Sequence, residues 1–269
     1  MALSRRRIFT VLGVLCVIAA GMAAVSLRIR QHIIRVHAQR TLDDIQHLKI
    51  GSSRTCQIFS EWQHEWGSHV SYEGTCDDPN RFYMDINVQH PAYIWPTCFE
   101  GQSGRVRFIL VRGMCGVYEA LSGKTIVFMA RVVGVKGVVT QKFSQVFTVM
   151  RDDLPDEHMP ATVAASAMTS ARPGRSWDRQ AATQQQNLHP GYRVFVGTTR
   201  INADYMPGGR VFYISAEVGP EGTNVDSERL FRFDLSCLGR WRPCSERDLM
   251  PAAYDQYEMD VRRSQSPSP

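Results

Sequence analysis

Six cysteines and two histidines are the residues of this chain whose types and spacing could carry chemistry. Cys56, Cys76, Cys98, Cys115, Cys237 and Cys244 form an even set, which suits disulfides, and no Cys-x-x-Cys pair points to redox catalysis. Cys237 and Cys244 flank Gly239 and Pro243, so a local bridge closing a short loop is expected. Cys56 with Cys76 and Cys98 with Cys115 are the neighbouring choices among the many pairings that six cysteines allow. Each bridge would stabilise the fold by about 2–4 kcal/mol. His64-Glu65 followed by His69 invites comparison with the zinc protease motif, which needs two histidines four apart on one helical face. Here they are five apart, roughly 140° out of register, and Gly67 is expected to end the helix between them. A looser zinc set of Cys56, His64, His69 and Cys76 competes with disulfides for the same thiols. Asp152, Asp153, Asp156 and Glu157 offer oxygen ligands but lack the alternation and central glycine of a calcium loop. Gly101-Gln102-Ser103-Gly104 runs into Arg105 and is not a nucleophile elbow. No catalytic, cofactor-binding or metal residue is assigned, and no cofactor is expected. Trp62, Trp66, Tyr93 and Trp95 are the candidate binding surface, with burial in a core the competing role for most of them.

The elements that must position these residues begin at a membrane. Residues 8–27 carry no charge and rise about 30 Å as a helix, the thickness of a bilayer hydrocarbon core. The run is longer than the apolar stretch of a signal peptide, although Gly21-Met22-Ala23-Ala24 could supply a cleavage site. The reading is a retained anchor; secretion after cleavage is the alternative. Arg5, Arg6 and Arg7 precede the run and Arg28, Arg30, Arg35 and Arg40 follow it, which leaves the positive-inside rule close to a tie. The even cysteine set breaks the tie, because disulfides persist outside the cytosol. Residues 1–7 are therefore expected in the cytoplasm and the bulk of the chain in an extracytoplasmic space.

Charge narrows the partners. Residues 1–40 hold seven arginines and no acid, and the remainder holds 24 basic and 26 acidic side chains. The exported part thus lacks the basic footprint that nucleic acid requires. The membrane, through residues 8–27, and an envelope protein are the expected partners.

Hydrophobic periodicity fills in the rest. Ile29, Ile33, Val36, Leu42, Ile45 and Leu48 suggest a juxtamembrane helix over 28–50. Ile58, Phe59, Trp62 and Trp66 share one face of a helix that Gly67 ends. Strands are expected over 81–88, 105–111, 124–135 and 141–150, as an antiparallel sheet of three or four strands. Residues 153–190 contain almost no large apolar side chain and read as a flexible insertion. Strands resume at 192–196, and 210–218 and 230–235 read as a pair; 258–269 reads as a disordered tail. The expected fold is α+β: a transmembrane helix, then a mostly antiparallel sheet with one or two packed helices, in one domain over 51–257.

The stretch Ile45-Gln46-His47-Leu48-Lys49-Ile50-Gly51-Ser52-Ser53, running into a helix closed by Trp66-Gly67, resembles the opening of small envelope domains of the outer-membrane assembly lipoprotein kind. Phe233-Asp234-Leu235-Ser236-Cys237-Leu238, with Cys244 and Leu249-Met250-Pro251, is similar to the tail of uncharacterised exported bacterial proteins. The chain departs from that pattern in lacking a lipid-attachment cysteine and in adding paired cysteines. The resemblance implies a non-catalytic binding or scaffolding role in the cell envelope. The rival is an exported hydrolase or metal-dependent enzyme with a site assembled from distant residues.

Overall fold

A helix of 43 residues, α1 (Arg5–His47), opens the chain and runs unbroken for about 64 Å. The computed structural model describes residues 5–89, 126–150, 161–170, 192–203, 206–219, 225–240, 242 and 244–266. The expected strand at 105–111, and Cys98, Cys115, Tyr93 and Trp95, lie outside them. The two halves of α1 meet different surroundings. Phe9, Leu12, Leu15, Ile18, Met22 and Val25 are all exposed. Among the described residues this is the one helix long and apolar enough to cross a membrane, with a mean hydropathy of 2.3 over its most apolar window. Farther along, Ala38, Leu42 and Ile45 recur at four- and three-residue steps and are fully buried. The residues expected as a juxtamembrane helix over 28–50 continue the same helix as far as His47. Its second half is a wall of the core.

Gly51 turns the chain at positive φ, and Gly51 N–H donates to Val139 O at 2.9 Å while Val139 N–H donates to Ser53 O at 2.9 Å. Helix α2 (Thr55–Trp66) follows and buries Ile58, Trp62 and Trp66. Inside the core, the Trp66 indole N–H donates to Thr41 Oγ1 at 2.9 Å and joins α2 to α1. The Cys56–Cys76 disulfide ties α2 to the loop after β1 (Val70–Glu73).

Among the described residues the sheet has seven strands, three of them at the expected runs 81–88, 124–135 and 141–150. They are β1, β2 (Phe82–Gln89), β3 (Ile126–Val135), β4 (Val138–Met150), β5 (Ala161–Ser170), β6 (Tyr192–Ala203) and β7 (Met206–Val218), in the order β1-β2-β3-β4-β5-β7-β6. All neighbours are antiparallel except β5 and β7. The two-residue turn Lys136-Gly137 has positive φ at both positions, the geometry that fits the twist of a tight hairpin. Beside it, the register shifts at Val133/Gly134, and a Cβ on Gly134 would collide with the Thr55 side chain.

Three expectations fail on this sheet and its surroundings. Residues 161–170, expected within a flexible insertion, form strand β5 between two longer neighbours. Its small residues Ala165 and Ala167 are buried, so the strand fills its place with backbone and needs no large side chain. Residues 230–235 do not pair with 210–218, because β7 is already flanked by β5 and β6. They run along α1, where Phe231, Phe233 and Leu235 are buried and Gln39 donates to Phe233 O at 3.0 Å and accepts from Leu235 N–H at 2.9 Å. The tail does not begin at 258. After α3 (Val225–Leu230) and α4 (Glu246–Leu249), α5 (Pro251–Gln265) carries the helix seven residues farther, and it buries Ala253 and Gln256.

Alternation along the strands sends Phe82, Ile86, Phe128, Val132, Val146 and Ile214 to one face, where α1, α2, α4 and α5 cover them. Lys142 lies in that same row and is 1% exposed. Its Nζ donates to Ile45 O, Gln46 O and Leu48 O, each at 2.9 Å, and sits 4.6 Å from the centroid of the Phe231 ring. The last carbonyls of a helix have no partner within it and carry partial negative charge. One buried ammonium thus closes the C-terminal end of α1 from the middle of the sheet. Burial lowers this ammonium to about 8, with Glu228 pulling weakly the other way.

Three predictions come from this core. Lys142→Met will lower domain stability by about 2 kcal/mol at neutral pH in denaturant titrations, because the half-buried carbonyls of Gln46 and Leu48 lose this donor and Ile45 O keeps only the Leu48 N–H at 3.2 Å. The unfolded chain holds the Lys142 proton up to about 10.5, whereas the folded chain releases it near 8. Stability will therefore rise with pH across that window, and the Lys142→Met variant will lack this component of the slope. Thr41→Val will cost about 1–2 kcal/mol in the same measurement, since it strands the Trp66 N–H.

Candidate docking face

The second face of the sheet carries a constellation of charged side chains held in a fixed geometry across strands. Tyr83 and Asp85 alternate with the core residues of β2, and Asp85 sits opposite Arg131 of β3. Arg131 donates twice to Asp85, from Nε to Oδ1 at 2.8 Å and from Nη2 to Oδ2 at 2.9 Å. The Tyr83 hydroxyl donates to Asp85 Oδ2. The Arg131 guanidinium stands 4.7 Å from the Tyr83 ring centroid and 5.9 Å from that of Phe143, and the Arg81 guanidinium lies 5.9 Å from the Tyr83 centroid. Phe147, Met129 and Tyr213 continue this face at intermediate burial. Among the described residues, no helix lies on it.

The electrostatics favour holding protons over exchanging them. Burial, then the hydrogen bond and charge of Asp85, push the Tyr83 phenol up to about 12. Hydrogen bonds to Asp85 raise Arg131 despite its partial burial. Both oxygens of Asp85 are engaged, so near neutral pH the cluster offers no free base and no labile proton. It groups aromatic rings around a satisfied ion pair, with Tyr83 and Phe147 partly exposed and Phe143 buried. A separate cleft of about 530 Å³ opens where α1 ends, lined by Gln46, Glu228, Arg229, Arg232 and Asp255. Its charges are of both signs, and Asp255 is paired with Arg247 at 3.1 Å.

The residues singled out from sequence fall in different places. Cys56–Cys76 and Cys237–Cys244 are disulfides, with Cα atoms 4.8 and 5.4 Å apart. The first of these consumes both thiols of the loose zinc set, and His69 lies in the turn after α2. Among the described residues no three His, Cys, Asp or Glu side chains are grouped to hold a metal ion. Trp62 and Trp66 are 2% and 7% exposed, so they build the core and present no binding surface. The Tyr83–Asp85–Arg131 cluster was not anticipated. Its signal was the Tyr-x-Asp alternation within 81–88, but the matching arginine lies 46 positions away and only strand register brings it across.

Comparison with protein-family models, with curated proteins and with solved structures finds no match to this chain.

Ring-labelled tyrosine NMR will show one phenol that keeps its proton to about pH 12, and Asp85→Asn will bring that midpoint down toward the ordinary 10. Since the unfolded phenol ionises first, the Tyr83 contribution to stability will be full below pH 10 and lost as pH rises through about 12.

Proposed function

We infer that this chain is a single-pass membrane protein of the cell envelope whose extracytoplasmic α+β domain binds another envelope component without catalysing a reaction. The observation that carries the reading is the continuity of α1. One helix supplies both the exposed apolar run of residues 8–27 and the buried row Ala38, Leu42 and Ile45. Among the described residues nothing buries the apolar run, which is long enough to cross lipid, while the same helix supplies part of the domain core. The helix runs unbroken through Gly21-Met22-Ala23-Ala24, which supports retention over cleavage. Two disulfides support an oxidising space for the domain and a cytoplasmic amino terminus.

Binding is assigned to the second face of the sheet. Tyrosine, arginine, phenylalanine and methionine are the residues on which protein interfaces depend most, and all four occur there around the Asp85–Arg131 pair. The envelope setting accords with the resemblance of residues 45–67 to outer-membrane assembly domains.

The test combines topology with capture. In intact cells, a carboxyl-terminal epitope will be digested by protease added outside the cytoplasmic membrane, and the four bridged cysteines will resist maleimide until reduced. Photo-crosslinking residues at Asn87 and Gln145, on the second face, will capture one defined envelope protein that a probe at Glu61, exposed on α2, does not. A protected epitope with reactive thiols would place the domain in the cytoplasm. Equal capture from all three positions would remove the sheet face from the proposal.

A further inference from the structure

The segment after α3 descends α1 toward the membrane-spanning run in ordered steps. Phe231 packs on the Lys142 ammonium, which is bonded to Ile45 O. Phe233 and Leu235 are clamped by Gln39. Gly239 then lies so close to the Arg35 guanidinium that a Cβ there would collide with it. Each step moves about one turn or more down the helix, so the loop closed by Cys237–Cys244 is placed at the end of the domain that faces the span.

Arginines converge at this end. Arg240 and Arg242 are exposed on the loop, and Arg35 is half-buried against it. Arg28 lies seven residues before Arg35, about 20° short of two full turns, and therefore shares its helix face. Arg28 adjoins Leu27, the last residue of the uncharged run, and Arg35 lies about 12 Å beyond it. That interval matches the headgroup zone plus the reach of an arginine side chain. Asp248 accepts from both loop arginines, at 3.4 Å from Arg240 and 3.3 Å from Arg242, while Asp234 accepts from Ser236 N–H. Residues 28–42 of α1 include no carboxylate. In sequence, Trp241 stands between the two loop arginines, and tryptophan favours the membrane interface.

We propose that Arg28, Arg35, Arg240 and Arg242 form a collar that binds the phosphates of anionic phospholipids in the leaflet where the α1 span ends. The proposal rests on α1 remaining in the membrane. Charge complementarity selects the occupant, because each arginine held at an anionic surface gains attraction that a zwitterionic surface does not supply. The disulfide closes the loop that packs against α1 at Arg35, so the arginines come from two elements at the end of the domain nearest the span.

The experiment uses the full chain in nanodiscs of phosphatidylcholine alone, or with about one third phosphatidylglycerol, and reads amide hydrogen exchange by mass spectrometry. Residues 236–244 are expected to exchange about tenfold more slowly in the anionic discs, and about 0.5 M salt will erase the difference. The Arg240→Gln/Arg242→Gln double variant will exchange alike in both discs. Protection of residues 9–27 in the same spectra reports the anchor separately. Equal exchange of 236–244 in the two discs, with 9–27 protected, overturns the collar and leaves the anchor standing. Unprotected 9–27 overturns the anchor and the collar with it. If the double variant disturbs the loop, as faster exchange in phosphatidylcholine would reveal, the wild-type comparison between discs still decides.

Discussion

The buried ammonium of Lys142 joins the parts of this protein that would otherwise be independent. It rises from the fourth strand, crosses the core and meets three carbonyls at the end of the first helix, with the Phe231 ring against it. A helix end leaves acceptors with no partner inside the helix, and at the end of α1 these are buried or half-buried. A lysine stem supplies methylene groups to the core and delivers its donors where they are needed. Burial of the charge is costly, which is why the proton is held more weakly than in water. The arrangement persists because removing the amine would leave the carbonyls stranded.

Around that point the core is assembled from distant parts of the chain. Helices α1 and α2 come from the beginning, α4 and α5 from the end, and they share one side of one sheet. The parallel pairing of β5 with β7 lets the β6–β7 hairpin extend the sheet, and α5 then packs on both strands of that hairpin. The two disulfides clamp the places where a helix hands over to a loop. Cys56–Cys76 fixes α2 against the start of the sheet, and Cys237–Cys244 fixes the loop that leads into α4.

Much of this was legible in the sequence, and the failures have physical causes. The apolar run, the aromatic stripe of α2 and the glycine-bearing turn between β3 and β4 all follow from local patterns. The Cys237–Cys244 bridge was legible because its loop is short. Strand β5 was not, because a pattern built on large apolar side chains cannot see a strand of alanine, serine and threonine whose place is secured by its neighbours. Residues 230–235 alternate like a strand, yet their apolar side chains are satisfied by a helix and their backbone by Gln39 and Leu249. Lys142 reads as a solvent-facing lysine until the end of α1 is placed above it. The Asp85–Arg131 pair required a register between strands that no local signal sets.

Between Leu27 and Ile45 the first helix contains neither glycine nor proline. It has no joint at which a bend would be easy. A lipid bilayer that thins or thickens makes a span of fixed length lean. A lean of about 20° in the lipid would swing the far end of this stiff lever, about 27 Å beyond the surface, by roughly 10 Å. The sheet would travel with it as cargo. With the apolar run seated in lipid, membrane thickness would thereby set the position of the domain beyond it, with no moving part in the protein itself.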